Sequence, residues 1–397
     1  MTLAVTIVLT IVAALLSIPA AVLFIQCAFA LLPARRGNVD PSAERPTIGI
    51  LVPAHNESAV LAATLRSVSA QLREKDRLLV IADNCTDDTA DIARAQGAEV
   101  FERQNLEQRG KGFALAAGLN VLAGAPTDVV AIIDADCTLS AGCLDALART
   151  AATGQRPVQG VYLMPPPADP RPADVVSSLA VLVKNKVRPL GMANLGQPCL
   201  LTGSGAAFPW GMLTPESFVG AHIVEDMQLA VDLTLDGKSP RFCREAILTA
   251  PLPDRAAAFV SQRTRWEHGH LQTLLTQCPR LLWGFLRSGR VGCLAMMLDI
   301  CVPPLSLFVL CCGVFWGVAI GAGLATGSWL AARVMSSALL LITCAVFLAW
   351  VRFGRREFPP RVLLAIPGYV LGKLPLYVGF LYRRQTAWVR TRRSSQP

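Results

Sequence analysis

Short apolar runs rich in β-branched residues alternate with segments of helical spacing between residues 46 and 136. The runs at 47–52, 77–82, 98–101 and 129–133 each have the length of a buried strand. Strands that alternate with helices in this way are typical of a parallel, doubly wound sheet. The hydrophobic pattern therefore predicts an α/β domain whose strands end together at one edge of the sheet.

The pattern becomes irregular after residue 137. Residues 175–186 have the spacing of a helix, and residues 256–283 show a long amphipathic helical pattern. Between them, residues 200–208 are rich in glycine, and we expect a glycine-hinged strand or loop there.

Much longer apolar stretches flank the α/β region. Residues 3–32 contain no charged side chain, and the stretches at about 293–322 and 329–351 contain one charged residue each. Because about 20 apolar residues cross a bilayer, each of these stretches predicts a transmembrane helix. The apolar stretch at about 362–382 is interrupted by two prolines and a lysine, so we expect an interfacial or re-entrant segment there.

Composition and charge agree with a membrane protein. Hydrophobic residues make up 53% of the 397 residues and charged residues only 16%. From residue 281 onward, 13 Lys and Arg residues stand against two acidic residues, so the net charge of +9 belongs to the membrane region. These bases flank apolar segments, which disfavours a nucleic-acid partner and is typical of cytoplasmic membrane-flanking charges.

We therefore expect three regions in an integral protein of the inner (cell) membrane. Residues 1–35 would hold an N-terminal transmembrane helix, residues 46–283 a cytoplasmic α/β domain, and residues 284–397 a C-terminal membrane region that ends in a basic cytoplasmic tail.

Polar residues follow the predicted strands directly. Asp134 and Asp136 come after the strand at 129–133, and Glu57 and Asp83 follow the first two strands. In an open α/β sheet ligands bind at this edge, and two neighbouring carboxylates can share a divalent cation that neutralises a diphosphate. Turns at the strand ends are the simpler alternative, because polar residues of this kind favour turns.

Lys111 stands between two glycines at the start of a predicted helix. Small neighbours let the backbone approach an anion, which makes Lys111 a candidate phosphate contact. A solvated lysine at a helix start is the alternative.

Two further groups lie beyond residue 200. Glu225 and Asp226 form a second carboxylate pair, which would supply either a general base for an acceptor hydroxyl or a helix cap. Gln262, Arg265 and Trp266 share one helical face by their spacing, and this face suits a sugar and a diphosphate. A core tryptophan with a flanking surface arginine is the alternative for that face.

In order and spacing, these groups resemble the membrane-embedded family 2 glycosyltransferases, which include cellulose, hyaluronan, chitin-oligosaccharide and poly-N-acetylglucosamine synthases. Several matches in order are more specific than any single motif. The resemblance covers residues 46–270 and rests on Pro53-Ala54-His55-Asn56-Glu57, Asp83, Lys111, Asp134-Ala135-Asp136, Glu225-Asp226 and Gln262-Arg263-Thr264-Arg265-Trp266.

On the donor side, the resemblance implies a GT-A fold and a hexosyltransferase that uses a UDP-sugar. Glu57, Asp83 and Lys111 would contact the nucleotide, and Asp134 would contact the UDP moiety. Asp136 would ligate Mg²⁺ or Mn²⁺.

On the acceptor side, the resemblance implies that Asp226, beside Glu225, is the general base of an inverting displacement. The loop at 202–204, with Gly203 at its centre, is similar to a loop that lines the acceptor site in the family. The diphosphate and the acceptor sugar would be bound by Gln262, Arg265 and Trp266.

Two positions depart from the family pattern. Asn84 follows Asp83 where the family often has a second aspartate, and Trp266 precedes Glu267-His268-Gly269-His270 where cellulose synthases have a small residue. The second departure leaves the sugar and the acceptor open. His268 and His270 would either contact the acceptor or lie on an amphipathic face at the membrane surface, and we expect the face.

Three hypotheses follow for the function. The leading one is a transferase that builds a β-linked exopolysaccharide or envelope glycan. Such a transferase would work with partner proteins that export or assemble the glycan. The second is non-processive transfer to a lipid or lipid-linked acceptor, because three confident spans are few for a polymer channel. The third is a catalytically silent membrane subunit that senses a nucleotide, against which the intact carboxylate pairs argue.

Overall fold

The computed structural model describes residues 2–33, 44–218, 225–252 and 256–382, which fall into two compact units. The first, called here the α/β unit, consists of the described residues of 44–165 and 198–263. The second, called here the helical unit, consists of the described residues up to 33, of 166–197 and of 264–382.

The strands and helices have the following bounds in chain order. The strands are β1 (Ile48–Ala54), β2 (Arg77–Asp83), β3 (Glu99–Arg103), β4 (Val129–Ile132), β5 (Thr138–Leu139), β6 (Val158–Leu163), β7 (Ala206–Pro209) and β8 (Arg241–Thr249). The α-helices are α1 (Thr2–Phe29), α2 (Leu61–Ser69), α3 (Thr89–Ala95), α4 (Lys111–Leu122), α5 (Cys143–Gly154), α6 (Pro172–Leu182), α7 (Arg188–Asn194), α8 (Glu225–Leu235), α9 (Ala256–Ser288), α10 (Val291–Cys301), α11 (Leu305–Thr326), α12 (Leu330–Ala349), α13 (Arg361–Gly372) and α14 (Leu374–Tyr382). Shorter turns of helix occupy Val183–Val187, Pro215–Phe218 and Trp350–Gly354.

The α/β unit is built on one mixed sheet with the strand order β3-β2-β1-β4-β7-β6-β8-β5. Strands β3, β2, β1 and β4 are parallel, as are β6 and β8, whereas β7 is antiparallel to both of its neighbours and β5 to β8. The α/β prediction with a mostly parallel sheet is therefore confirmed. In the parallel half β1 and β4 are almost fully buried, which explains their continuous apolar sequence.

The register of the parallel strands brings their carboxyl ends to one edge. Ala54 pairs with Ala82, and Leu51 pairs with Ile132, so the residues that follow β1, β2 and β4 leave the sheet side by side. This edge is where the predicted site residues of the first 136 positions stand.

The region after residue 137 contains more sheet than the hydrophobic pattern indicates. Strands β5, β6 and β8 complete the sheet, and β7 begins inside the expected glycine-hinged stretch at 200–208 and ends one residue after it. Strand β8 carries exposed charged residues among its buried ones and pairs with β6 through an irregular register. Because its sequence is polar, the hydrophobic pattern does not predict β8, which is stabilised by pairing with strands far away in sequence.

Four segments of the described residues are long and apolar enough to cross a membrane: Leu3–Phe29, Leu305–Thr326, Leu330–Gly354 and Arg361–Gly379. The stretch predicted as one span at 293–322 is divided between α10 and α11. Pro303 and Pro304 separate these two helices, because proline disfavours helical geometry in the residue before it and lacks an amide donor.

Buried polar side chains join helices within the helical unit. Arg188 of α7 donates to the Oε1 atom of Gln26 in α1 at 2.8 Å and to the Oδ1 atom of Asp299 in α10 at 2.7 Å. Gln26 in turn donates to Asp299 at 2.7 Å. Residues 166–197, which the sequence pattern places inside the 46–283 domain, thus belong to the compact unit of the apolar helices.

The two histidines near Trp266 are buried inside the helical unit, so the prediction that they lie on an amphipathic face at the membrane surface is wrong. His268 and His270 are each 3% exposed, and Nε2 of His270 lies 3.0 Å from the carbonyl oxygen of Ile300. Burial, reinforced by the positive charges of Lys184 and Arg188, lowers the pKa of His270 to about 3. The imidazole of His270 is therefore a neutral packing element between α9 and α10.

Helix α7 approaches α1 so closely that one position between them has no room for a side chain. A Cβ atom at Gly191 would lie 1.9 Å from the carbonyl oxygen of Gln26, far inside van der Waals contact. In contrast, a Cβ atom at Gly317 of α11 would meet nothing within 4 Å.

We expect Gly191→Ala to destabilise the protein because α7 and α1 must separate to admit the methyl group. Overpacking of this kind costs about 1–3 kcal/mol, and thermal unfolding in detergent should show a lower melting temperature. Gly317→Ala is the matched control and should leave the melting temperature unchanged or slightly raised. Equal melting temperatures for the two variants would contradict the close packing of α7 on α1.

Candidate active site

Lys111, the first residue of α4, bridges two segments at the sheet edge. Its Nζ atom donates to Oδ1 of Asp134, just after β4, at 2.5 Å and to the carbonyl oxygen of Gly203 at 2.6 Å. The ammonium group therefore holds the end of β4 against the 202–204 loop.

Asp226, in the first turn of α8, lies close to the same loop. A Cβ atom at Gly203 would stand 3.3 Å from Oδ2 of Asp226 and 3.6 Å from Nζ of Lys111. Gly203 has φ +81°, a backbone conformation that favours glycine. Glycine at this position thus leaves room for the Asp226 carboxylate and the Lys111 ammonium group close to the loop backbone.

The electrostatics of the site are set by one lysine among several acids. Burial opposes the charge of Lys111, but the carboxylates of Asp134, Glu225 and Asp226 outweigh it, and the pKa of Lys111 is raised above its ordinary value. The group is a permanent cation near neutral pH. The negative charges of Glu225 and Asp226 are further stabilised by their position in the first turn of α8, where the helix dipole is positive.

The donor groups of a candidate metal site lie next to Lys111. One ligand atom each from Asp134, Asp136 and Cys137 lies within 4.8 Å of the others. Burial, and then the charge of Asp136, raises the pKa of the Cys137 thiol well above its usual range, so Cys137 stays protonated and contacts Ser204 at 3.2 Å. Two carboxylates without a thiolate suit a hard ion such as Mg²⁺ or Mn²⁺.

A second group of predicted residues gathers at the ends of β1 and β2. Asp83 ends β2, and its carbonyl oxygen lies 2.6 Å from Nδ1 of His55. The backbone amide of Glu57 donates to the hydroxyl of Thr89 at 2.8 Å, which fixes the turn after β1 against α3. Glu57 and Asp83 thus share one end of the sheet edge.

The remaining predicted residues lie along α9. Gln262, Arg265 and Trp266 are all partly buried. Gln262 belongs to the α/β unit, and its side-chain oxygen is buried without a hydrogen-bond partner in the described part of the chain. Arg265 and Trp266 belong to the helical unit.

Gln159 is a site residue that the sequence analysis missed. Its buried amide accepts from the backbone nitrogen of Thr202 at 2.9 Å and donates to the carbonyl oxygen of Ser204 at 2.8 Å. The hydroxyl of Ser204 in turn accepts from the backbone nitrogen of Asp134 at 3.0 Å. A glutamine in the apolar run 158–163 was the available signal, because a buried polar side chain needs partners.

Comparison with known proteins places the chain in a family. Residues 46–269, more than half of the chain, match the family model described as glycosyltransferase-like family 2. The chain is a family 2 glycosyltransferase. The resemblance expected from the motifs is thereby confirmed at the level of the family and of sugar transfer.

Relatives of this glycosyltransferase align over part of its length. An uncharacterized glycosyltransferase of Mycobacterium tuberculosis is 38% identical over 123 residues, which are 29% of this chain and 51% of the relative. The probable glycosyltransferase YdaM of Bacillus subtilis is 34% identical over 103 residues, which are 24% of each chain. This chain thus spans about half the length of the Mycobacterium tuberculosis relative and about a quarter of the length of YdaM.

One solved structure is similar over nearly the whole chain. The mannosyltransferase PcManGT from Pyrobaculum calidifontis, solved with GDP-mannose and Mn²⁺, superposes with a TM-score of 0.55 at 19% identity. The match covers 97% of this glycosyltransferase and 100% of PcManGT. At this identity the similarity shows the fold, which agrees with the GT-A architecture expected from the sequence.

We expect Gln159→Leu to destabilise the glycosyltransferase by about 1–3 kcal/mol, since it leaves a buried amide and a buried carbonyl of the 202–204 loop unpaired. Chemical denaturation in detergent measures the change. Gln96→Leu, at a half-buried glutamine directly after α3, is the matched control and should shift stability by less than about 0.5 kcal/mol. A Gln159→Leu variant as stable as the control would show that the loop is held by other contacts.

Proposed function

We propose that this glycosyltransferase moves a sugar from a UDP-sugar to a hydroxyl group of a growing glycan, with inversion at the sugar carbon and with a divalent metal. The supporting observation is the convergence of Lys111, Asp134 and Asp226 around Gly203. A transferase needs a cation for the departing diphosphate and a carboxylate for the incoming hydroxyl. Both groups stand next to Gly203.

The donor would lie along the sheet edge. Glu57 and Asp83 would contact the nucleoside, and Lys111 would face the diphosphate with its permanent charge. Asp136, with Asp134 beside it, would hold the Mg²⁺ or Mn²⁺, which when bound adds positive charge at the diphosphate oxygens.

Asp226 would act as the general base for the acceptor. As the acceptor oxygen bonds to C1 of the sugar, its proton passes to Asp226 and the bond from C1 to the diphosphate oxygen breaks. Attack from the face opposite the leaving group gives a β linkage from an α-linked donor. The Glu225 charge beside it adds to the negative field that holds Lys111 protonated.

Two buried polar atoms would serve the acceptor. The hydroxyl of Thr202 and the side-chain oxygen of Gln262 have no hydrogen-bond partner in the described residues. Buried polar groups without partners are costly, so a sugar hydroxyl that pairs with them would bind favourably. Arg265 and Trp266, in the turn of α9 after Gln262, would add the diphosphate and sugar contacts that the family resemblance implies.

The membrane helices would place the reaction at the cytoplasmic face of the inner membrane. The bases concentrated after residue 281 support this orientation, because positive charges favour the cytoplasmic side. The product would be an exopolysaccharide or an envelope glycan, and proteins for its export would be suitable partners.

A second candidate function is single transfer to a lipid or lipid-linked acceptor. The described residues contain four candidate spans, few for a channel that conducts a polymer. An acceptor anchored in the bilayer would reach the same catalytic groups without such a channel.

The first experiment measures nucleotide release from the purified full chain in detergent with Mn²⁺ or Mg²⁺ and a panel of UDP-sugars and GDP-mannose. We expect release with a UDP-sugar, and a loss of about 10²-fold or more for both Asp136→Ala and Asp226→Asn. Asp169→Asn, at an exposed aspartate outside the site, is the control and should keep full activity.

The outcomes separate the proposed roles. Full turnover in Asp226→Asn would remove Asp226 as the base, and nucleotide binding without release from any donor would favour a catalytically silent subunit. Products retained on gel filtration would support glycan elongation, whereas a single sugar on a lipid extract would support the second candidate.

A further inference from the structure

We propose that Arg103 selects the base of the donor nucleotide by leaving Asp83 only one carboxylate oxygen for the base. This inference rests on the proposed function, in which Asp83 contacts the nucleoside. It assigns a specificity role to a residue of β3 outside the family motifs.

The geometry of the pair is defined by the sheet. Arg103 and Asp83 end the adjacent parallel strands β3 and β2 and are register partners. Nη1 of Arg103 donates to Oδ1 of Asp83 at 2.6 Å, and Nδ2 of Asn84 donates to the same oxygen at 3.1 Å. Oδ1 therefore accepts two hydrogen bonds, whereas no donor among the described residues contacts Oδ2.

Arg103 is fixed from its other side as well. Nη1 donates to the carbonyl oxygen of Gln108 at 2.8 Å, Nη2 donates to Oε1 of Gln108 at 3.3 Å, and the guanidinium carbon lies 5.8 Å from the ring centre of Phe113. The side chains of Arg103 and Asp83 are only 11% and 8% exposed. The guanidinium group thus has little freedom to release Oδ1.

Asn84 is held in place by its backbone and its side chain. Its φ of +51° lies in the left-handed region, and its backbone amide donates to the carbonyl oxygen of Arg103 at 2.7 Å. Its side-chain oxygen accepts from the backbone nitrogen of Asn105 at 2.8 Å. The departure from the family's second aspartate therefore supplies a donor to Asp83 where a second acid would supply repulsion.

A carboxylate with one available oxygen matches uracil best among the common bases. Uracil offers one ring N–H between two carbonyl groups, so a single acceptor satisfies it. Guanine offers a ring N–H and an amino N–H side by side, and pairing both needs two acceptor oxygens. Cytosine and adenine present a ring-nitrogen lone pair at this edge, which a carboxylate repels.

We expect the wild-type chain to bind UDP at least about tenfold more tightly than GDP, because one guanine N–H is left without a partner. Titration calorimetry of the full chain in detergent with Mn²⁺ measures both affinities without any transfer. Arg103→Met keeps the length of the side chain but removes its donors, so it frees Oδ1. The ratio of the affinity for UDP to the affinity for GDP should then fall to about threefold or less.

Two further variants make the test independent of one substitution. Asn84→Gly removes the other donor to Oδ1, and glycine tolerates the positive φ at this position. This variant should also lower the ratio of the UDP affinity to the GDP affinity. Arg94→Met, at an exposed arginine of α3 that pairs with Asp91 and Glu102, is the matched control and should keep the wild-type ratio.

The outcomes distinguish this inference from the proposed function. Tighter binding of GDP than of UDP by the wild type would overturn the inference, whatever the variants do, and would also contradict a UDP-sugar as the donor while leaving sugar transfer from another nucleotide open. A wild-type preference for UDP that persists in both Arg103→Met and Asn84→Gly would overturn it too, while leaving the transferase proposal intact. Failure of every nucleoside diphosphate to bind would contradict the proposed function itself.

Discussion

The contact between the Lys111 ammonium and the Asp134 carboxylate, at 2.5 Å, is the interaction on which the candidate site depends. Three carboxylates from β4 and α8 face this one cation, and without it their mutual repulsion would separate the elements that carry them. The same ammonium binds the carbonyl oxygen of Gly203, 92 residues away in sequence. A single charge therefore joins the end of β4 to the 202–204 loop.

Hydrogen bonds of buried neutral groups make this arrangement rigid. Gln159 spans the 202–204 loop, and Ser204 satisfies the backbone nitrogen of Asp134, so the loop and the end of β4 move together. Such a network has a high cost if it is only partly satisfied, because each unpaired group is buried. These hydrogen bonds therefore favour the conformation of the loop that the structure shows.

The sequence predicts those parts of the molecule whose local pattern and long-range environment agree. Strands β1, β2 and β4 are buried on both faces, so their apolar runs and the acids after them could be read directly. Strand β8 could not be predicted, because its stability comes from partners far away in sequence. Gln159 was marked only as a polar residue in an apolar run, and its partners are likewise distant in sequence. For the same reason nothing in the local pattern assigns the helix at 175–186 to the apolar helices. Just after this helix, Arg188 has Gln26 and Asp299, both far away in sequence, as its buried partners.

Asp83 and Asp134, at two places on the sheet edge, are each held by a cation in the same way. In each, a cation occupies Oδ1, Arg103 for the first and Lys111 for the second, while Oδ2 has no donor among the described residues. A carboxylate that is held by one oxygen cannot rotate freely, so its other oxygen keeps a fixed direction. The side chain therefore loses little conformational entropy when a ligand binds. Arg103 also offsets the desolvation of Asp83, whose side chain is only 8% exposed. Removal of either cation should therefore affect which ligand is accepted as well as how tightly it is bound.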